Sequence, residues 1–381
     1  MLARLISDKI RQSPKSVLLL GPRQVGKSSL ILSLNPDLVI NLHDDRVYLD
    51  FKSNPNELRE RIQAQRPSVV FIDEIQRHTS LLNTVQVLID SPEYKGRLKF
   101  YITGSSARKL RRGQANLLPG RLLSYEIGPL CGAELDYKLD VQRALSIGCL
   151  PEPYLTKDQA LVEKLLSTYS GVYLKEEIQA EALTRDLGGF SRFIMAAAQE
   201  AGQILDFSKL AKQAKIERRA CARFYEILED TLIARRLEVF DQTDAEIKRR
   251  PKFYFFDTGV LNGLLENFVA SLDRKGHLFE HLVVNQITAS AQARDLPIRL
   301  SYFRTRSGYE VDLVLQIRGH TYAIEVKSGQ VGSQDVRSLE RFKDYFPQVD
   351  RLFIVTPTSA HKKIDEVEIC DLNQLLMEIG L

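Results

Sequence analysis

Residues Gly21–Leu30 read GPRQVGKSSL and follow directly on the apolar run SVLLL, Ser16–Leu20. The stretch fits G-x-x-x-x-G-K-[ST]. In that pattern Gly21 and Gly26 permit a tight turn whose backbone N–H groups can surround phosphate. Lys27 supplies a cation to the outer phosphates of a nucleoside triphosphate, and Ser28 a hydroxyl to Mg²⁺. The segment Gly21, Pro22, Arg23, Gln24, Val25, Gly26, Lys27, Ser28 and Ser29 is therefore the expected binding loop for ATP with Mg²⁺.

Working outward, short apolar runs recur: SVLLLG, LVINL, SVVFID, KFYITGS and YEIGPL, most of them separated by polar stretches of helical character. That alternation predicts a parallel α/β sheet. PSVVFIDEIQ, residues 67–76, supplies the second half of the chemistry. Asp73 is placed to hold the hydrated Mg²⁺ and Glu74 to activate a water. The competing reading is that both acids cap a helix N-terminus. FYITGSS ends a strand in Thr103, Ser105 and Ser106, where a hydroxyl can sense the terminal phosphate; Ser105 is the candidate. Arg121 follows in a Pro-Gly-Arg turn that can present a guanidinium to a neighbouring subunit's nucleotide. Between them Arg108, Lys109, Arg111 and Arg112 form a basic run that suits either nucleic acid or solvent.

The chain has 381 residues, enough for two or three domains. A net charge of +4 permits a polyanionic partner without demanding one. Cys131, Cys149, Cys221 and Cys370 form no C-x-x-C pair, which argues against a disulfide framework and for a reducing compartment. Charged residues interrupt MLARLISDKI, so it is no signal peptide, and no apolar run approaches the roughly 18 residues of a membrane span. A cytoplasmic location without membrane contact is expected.

Residues 131–200 read as helical, with a sharp connection at GCLPEPYL. From Asp206 two short apolar faces follow, Leu210, Ala211 and Ala214, then Ala220, Phe224, Ile227 and Leu228. Two short helices and an apolar strand predict a helix-turn-helix with a wing. Its candidate nucleic-acid contacts are Arg218, Arg219 and Arg223, with Lys248, Arg249 and Arg250 ahead of the second wing strand. A protein-packing role is the alternative.

Near the C-terminus, SYFRTRSGYEVDLVLQIRGHTYAIEVKSG puts Glu310, Asp312 and Glu325 on two apolar strands, with Lys327 two residues beyond. Glu325 and Lys327 share a strand face. Two carboxylates and a backbone carbonyl suit Mg²⁺ or Mn²⁺, and the lysine can orient or deprotonate water. Glu280, in the amphipathic GHLFEHLVVNQI, offers a third acid. Alternatively, Glu310 pairs with Arg304 or Arg306 as an ordinary ion pair. HLFEH, His277–His281, matches a zinc-protease pattern but lacks a further acid ligand.

Taken together, GPRQVGKSSL, VVFIDEIQ, TGSS, LPGRL, the helix-turn-helix stretch and RPKFYFFDTGVL resemble a prokaryotic family of AAA-like P-loop ATPases. The resemblance covers nearly the whole chain and implies a C-terminal domain similar to the restriction-endonuclease fold of archaeal Holliday junction resolvases. It implies Lys27 and Ser28 as phosphate and Mg²⁺ contacts, Asp73 and Glu74 as hydrolytic acids, Arg121 as a finger, and Glu280, Asp312, Glu325 and Lys327 as a nuclease-like set. Homo-oligomers, such as a hexameric ring, follow from the finger's need of a neighbour. The expected fold is α/β: a P-loop domain at 1–130, a helical lid at 131–200, a winged helix at 201–258 and a restriction-endonuclease-like domain at 259–381. The leading expectation is an ATP-driven motor on branched DNA. The rivals are an ATP-controlled, metal-dependent nuclease and a nucleotide-switched interaction protein.

Overall fold

The computed structural model describes residues 2–105, 118–173, 186–242, 250–358 and 361–381. Ser106, Arg108, Lys109, Arg111, Arg112, Lys248 and Arg249 lie outside the described residues. The chain forms two compact units: Met1–Gly128 with Asp230–Leu232, and Pro129–Glu229 with Ile233–Leu381. Everything from Pro129 onward, apart from three residues, thus belongs to the second unit.

In the first unit five parallel strands lie in the order β2-β3-β4-β1-β5. They are β1 (Ser16–Leu20), β2 (Leu38–Asn41), β3 (Val69–Asp73), β4 (Lys99–Gly104) and β5 (Leu122–Glu126). Every residue of β1 is buried, which explains its unbroken apolar run: a parallel sheet covered on both faces leaves no place for alternation. One face packs Leu18, Ile40, Val70, Ile72, Phe100 and Ile102 with Leu58, Ile62, Leu82 and Val85 from the helices. The last strand lies earlier than YEIGPL suggested. Leu122–Glu126 pairs residue for residue with Ser16–Leu20, the Ile127 amide donates to Leu20 O at 2.9 Å, and Gly128-Pro129 then ends the ladder.

This strand order matters for chemistry. β4 separates β1 from β3, so the carboxyl ends of all three lie side by side. Open α/β sheets bind their ligands in the crevice outside such strand ends.

The second unit contains, among the described residues, an eight-stranded mixed sheet in the order β12-β13-β11-β10-β9-β8-β6-β7. Its strands are β6 (Ala234–Val239), β7 (Lys252–Phe255), β8 (Ile298–Arg304), β9 (Glu310–Ile317), β10 (His320–Val326), β11 (Arg351–Thr356), β12 (Lys362–Ile364) and β13 (Val367–Asp371). β6 and β7, the strands read from the sequence as a wing, pair antiparallel. Its other edge continues: Glu238 and Val239 pair in parallel with Ser301 and Tyr302 of β8. An unpaired strand edge would have left N–H and C=O groups exposed, and β8 satisfies them.

The two expected short helices form as well. Helix Phe207–Ala214 is capped by Asp206, whose side chain accepts from Ser208 N and Lys209 N; Lys215 ends it in the left-handed conformation. Helix Arg218–Asp230 buries Cys221, Phe224, Tyr225, Ile227 and Leu228, with Phe224 and Tyr225 packed against Phe190, Phe193 and Phe253. The long helix Leu272–Arg294 is buried along much of its length. No helix among the described residues is long and apolar enough to cross a membrane, and all four cysteines are buried and outside disulfides.

Candidate functional site

The phosphate-loop motif takes up the end of β1. A Cβ on Gly21 would stand 2.3 Å from Ile127 O, so only glycine lets the chain pass β5 here. Gly26 has φ +93°, a conformation that costs other residues strain, and it opens the helix Lys27–Leu32. Arg4 ties the loop down: its guanidinium donates to Val25 O at 2.6 Å and to Gly128 O at 2.8 Å. The Lys27 side chain is only 5% exposed, and its ammonium donates to Gly21 O at 3.0 Å and Pro22 O at 2.8 Å. Loop carbonyls thus engage the cation that phosphate oxygens would take over. Ser28 sits half-buried in the first helical turn, and Arg23, Gln24 and Ser29 remain at the surface side of the loop. A glycine-lined cradle, an inward lysine and a hydroxyl beside it fit a nucleoside triphosphate with Mg²⁺.

Asp73 ends β3, and one of its carboxylate oxygens accepts from Thr103 Oγ1 on β4. Glu74 adopts the left-handed conformation, φ 59° and ψ 47°, and its N–H donates to Thr103 Oγ1 at 3.3 Å. The capping alternative does not describe it, since its side chain caps nothing in the following turn, Ile75–Arg77. Its carboxylate instead accepts from Gln76 Nε2 and, at 3.4 Å, from Ser105 Oγ. Gln76 Nε2 also donates to Ser105 Oγ at 2.8 Å. Lys27, Asp73, Glu74 and Ser105 therefore all stand at the ends of three adjacent strands. Gln76 escaped the sequence reading, although it closes the same VVFIDEIQ run. Arg121 stands apart from this group, its Nε donating to both Asp90 oxygens at 2.7 and 2.9 Å.

The C-terminal unit brings its acids together around a cation the sequence reading missed. Glu280 on Leu272–Arg294 and Glu310 on β9 flank the buried Lys252 of β7, at 3.2 and 3.0 Å from its ammonium. Tyr254 donates to the same Glu280 oxygen, and Arg304 pairs with Glu310, as the ion-pair alternative expected. Burial opposes the Lys252 charge, yet Glu280, Glu310 and Asp312 more than offset it and raise its pKa. Continuing the β9–β10 register from Leu313↔Ile324 by one step sets Asp312 opposite Glu325. Asp312 accepts from Val326 N at 2.8 Å; burial, then Glu325 and Glu280, push its carboxyl well above the ordinary range. Burial also raises Glu325, against the pull of Lys327 at 3.0 Å. Lys327 lies 3.4 Å from Asp335 as well.

Among the described residues, no three His, Cys, Asp or Glu side chains are arranged to hold a metal ion. The charge between Glu280 and Glu310 is an ammonium, so the expected metal set of Glu280, Asp312 and Glu325 does not form a ready cage. His281 is wholly buried, with Nε2 2.7 Å from Phe255 O, and among the described residues no His, Cys, Asp or Glu group completes a zinc site around it.

The Arg218–Asp230 helix exposes Arg218, Arg219 and Arg223 opposite its buried face. An open cavity of about 620 Å³ lies beside it, lined by Lys212, Lys215 and Arg223, by the acids Asp186 and Glu217, and by apolar residues that include Ile216 and Phe224. Arg250 lies 3.6 Å from Asp206.

Three sequence families match successive parts of the chain: an AAA domain over residues 13–135, a domain of unknown function (DUF8612) over 138–271, and another (DUF4143) over 275–375. Among curated proteins, the uncharacterized protein Rv2008c of Mycobacterium tuberculosis is 26% identical over 348 residues, covering 90% of this chain and 76% of its own. The uncharacterized protein MJ1544 of Methanocaldococcus jannaschii is 23% identical over 347 residues, with 82% and 73% covered. Among solved structures, the replication initiator DnaA bound to AMPPCP and single-stranded DNA aligns at a TM-score of 0.26 and 12% identity, covering 59% of this chain and 86% of that one. The AAA match coincides with the loop, acids and strand order described above. The N-terminal unit is an AAA-type P-loop domain.

Proposed function

We infer that the protein is an ATP-hydrolysing machine that acts on DNA, with branched DNA such as a four-way junction as its favoured substrate class. The observation that carries the reading is the placement of Asp73, Glu74 and Ser105 at the ends of β3 and β4, next to β1, whose following loop carries Lys27. In this reading Lys27 and Ser28 hold the phosphates and Mg²⁺, Asp73 orients the metal's shell, Glu74 takes a proton from water, and Ser105 senses the terminal phosphate. Arg121 leaves Asp90 to complete a neighbour's site in a homo-oligomeric ring, and hexamers are the expected form.

The DNA part is supported by the exposed Arg218, Arg219 and Arg223 beside Lys212 and Lys215. Those two helices and their strand are read as a winged helix that contacts phosphates, and Lys248, Arg249 and Arg250 as its wing contacts. The C-terminal domain is read as a restriction-endonuclease-like fold that grips branched DNA. Since Lys252 already sits between two of its acids, gripping is preferred to cutting. Fold likeness does not fix activity by itself.

The experiment is an end-labelled four-way junction with protein, Mg²⁺ and ATP, run on native and denaturing gels beside Lys27→Ala and Asp312→Ala proteins. Strands that separate intact only when Lys27 is present support the motor. Cut strands that vanish with Asp312→Ala replace it by a metal-dependent nuclease. ATP turnover indifferent to DNA replaces it by a nucleotide-switched interaction protein. Replacing Arg218, Arg219 and Arg223 by alanine should also lower the slope of log affinity against log salt by roughly 2 to 3.

A further inference from the structure

Gln76 is 7% exposed and stands two residues beyond Glu74 in the turn Ile75–Arg77. Its side-chain nitrogen faces Glu74 Oε2 and Ser105 Oγ. A carboxylate oxygen only accepts, so the amide nitrogen must lie on this side; the swapped orientation would set two acceptors against each other. Both N–H groups are thereby spent on the catalytic acid and its neighbour. Gln76 Oε1, in contrast, is buried with no hydrogen-bond partner among the described residues. Buried acceptors in native proteins are almost always met, and an unmet one calls for a donor that arrives later. Beside it Glu74 holds a left-handed backbone, which non-glycine residues adopt at a cost and which clusters at active sites. A strained backbone at Glu74, the residue read as the base, and an unmet acceptor on Gln76 thus lie two residues apart in one turn.

We propose that Gln76 is a positioning residue for hydrolysis, an inference that rests on the ATPase reading above. Its amide N–H groups fix the Glu74 carboxylate, and its Oε1 accepts a hydrogen bond from the attacking water. The water then lies between Glu74 and Gln76 with its second hydrogen directed at Glu74. In the step itself the water oxygen forms the new bond to the terminal phosphorus and its proton passes to Glu74. The bond from that phosphorus to the oxygen of the leaving diphosphate breaks. Gln76 exchanges no proton; it sets the direction of the water's lone pair, which the in-line displacement requires.

The test compares ATP turnover and the affinity for a fluorescent ATP analogue in full-length wild type, Gln76→Leu, Gln76→Glu, Lys27→Ala and Glu74→Gln. Leucine removes the unmet carbonyl but also the donor to Glu74 and Ser105, so the variant is expected to fold with a melting temperature within a few degrees of wild type. The Gln76→Glu change keeps an acceptor but sets a second carboxylate against Glu74. Turnover is expected to fall at least about 30-fold in both, with nucleotide affinity within about twofold of wild type. Turnover within about threefold of wild type, or above it, overturns the proposal. So does a loss of turnover matched by an equal loss of affinity, which would make Gln76 a support of the loop. Turnover abolished by Lys27→Ala and Glu74→Gln but kept by Gln76→Leu rejects this inference alone. A wild type without turnover, or one whose turnover survives Lys27→Ala, rejects the ATPase reading and this inference with it.

Discussion

Lys252 on β7 and Glu280 on the helix Leu272–Arg294 form an ion pair of 3.2 Å in which the amine is almost wholly buried. The same amine reaches Glu310 at 3.0 Å, so one cation serves acids from a helix and a strand. Removing it takes a cation from two partly buried carboxylates and leaves Tyr254 on Glu280 and Arg304 on Glu310.

Lys252→Met is therefore expected to cost about 3 kcal/mol, the usual penalty for breaking a buried pair by deleting one partner. Urea denaturation measures it. The double variant Lys252→Met/Glu280→Gln should cost clearly less than the two single changes summed. Additive costs would show that the pair is not coupled.

His281 supplies a pH dependence. Burial, then the neighbouring His277, lowers its pKa to about 3 against an ordinary 6.5. A base with a depressed folded pKa binds fewer protons folded than unfolded, so its stability contribution is complete above pH 6.5 and is lost as pH falls toward 3. Between pH 7.5 and 5 the loss is about 2 kcal/mol. Asp257, raised to about 6 chiefly by burial, works in the opposite sense over pH 6 to 4. The difference between wild type and His281→Gln isolates the histidine: the wild type should lose more stability on acidification, and parallel curves would refute the assignment.

Gly21 and Gly26 are glycines for different reasons, and alanine should separate them. At Gly21 the added Cβ meets Ile127 O at 2.3 Å, so β5 or the loop must move. At Gly26 there is space, the nearest atom being an Arg4 nitrogen at 3.7 Å, and only the φ of +93° is strained. Gly26→Ala is expected to cost about 1 kcal/mol and Gly21→Ala at least about 2, with nucleotide affinity falling further in the latter. Thermal denaturation and nucleotide titration check both.

Arg121 holds Asp90 in an exposed pair, and such pairs contribute little to stability. Arg121→Ala should leave the melting temperature unchanged while abolishing turnover, if the guanidinium works in a neighbour's site. Mixing Arg121→Ala with Glu74→Gln protein should then restore part of the turnover, since each mixed interface can combine one intact acid with one intact finger. Mixtures as inactive as their parts would confine Arg121 to its own subunit.

The phosphate loop, the acids Asp73 and Glu74 and the helix pair after Asp206 were readable in the chain because their geometry is local. Consecutive residues set the turn, the strand end and the cap, and apolar spacing marks the buried faces of Leu210, Ala214, Phe224 and Leu228. Asp312 and Glu325 were readable too, as neighbouring strands joined by the short turn between Ile317 and His320.

What the sequence alone determined is this set of backbone shapes and the residue types they carry. Tertiary structure decided which side chains meet. The Lys252 pairing with Glu280 and Glu310, the continuation of β6 into β8, the Asp90 partner of Arg121 and the bond from Gln76 to Ser105 all join residues distant in the chain. Such meetings depend on strand order and register, and those follow from how whole elements bury their apolar faces together, a property no single stretch possesses.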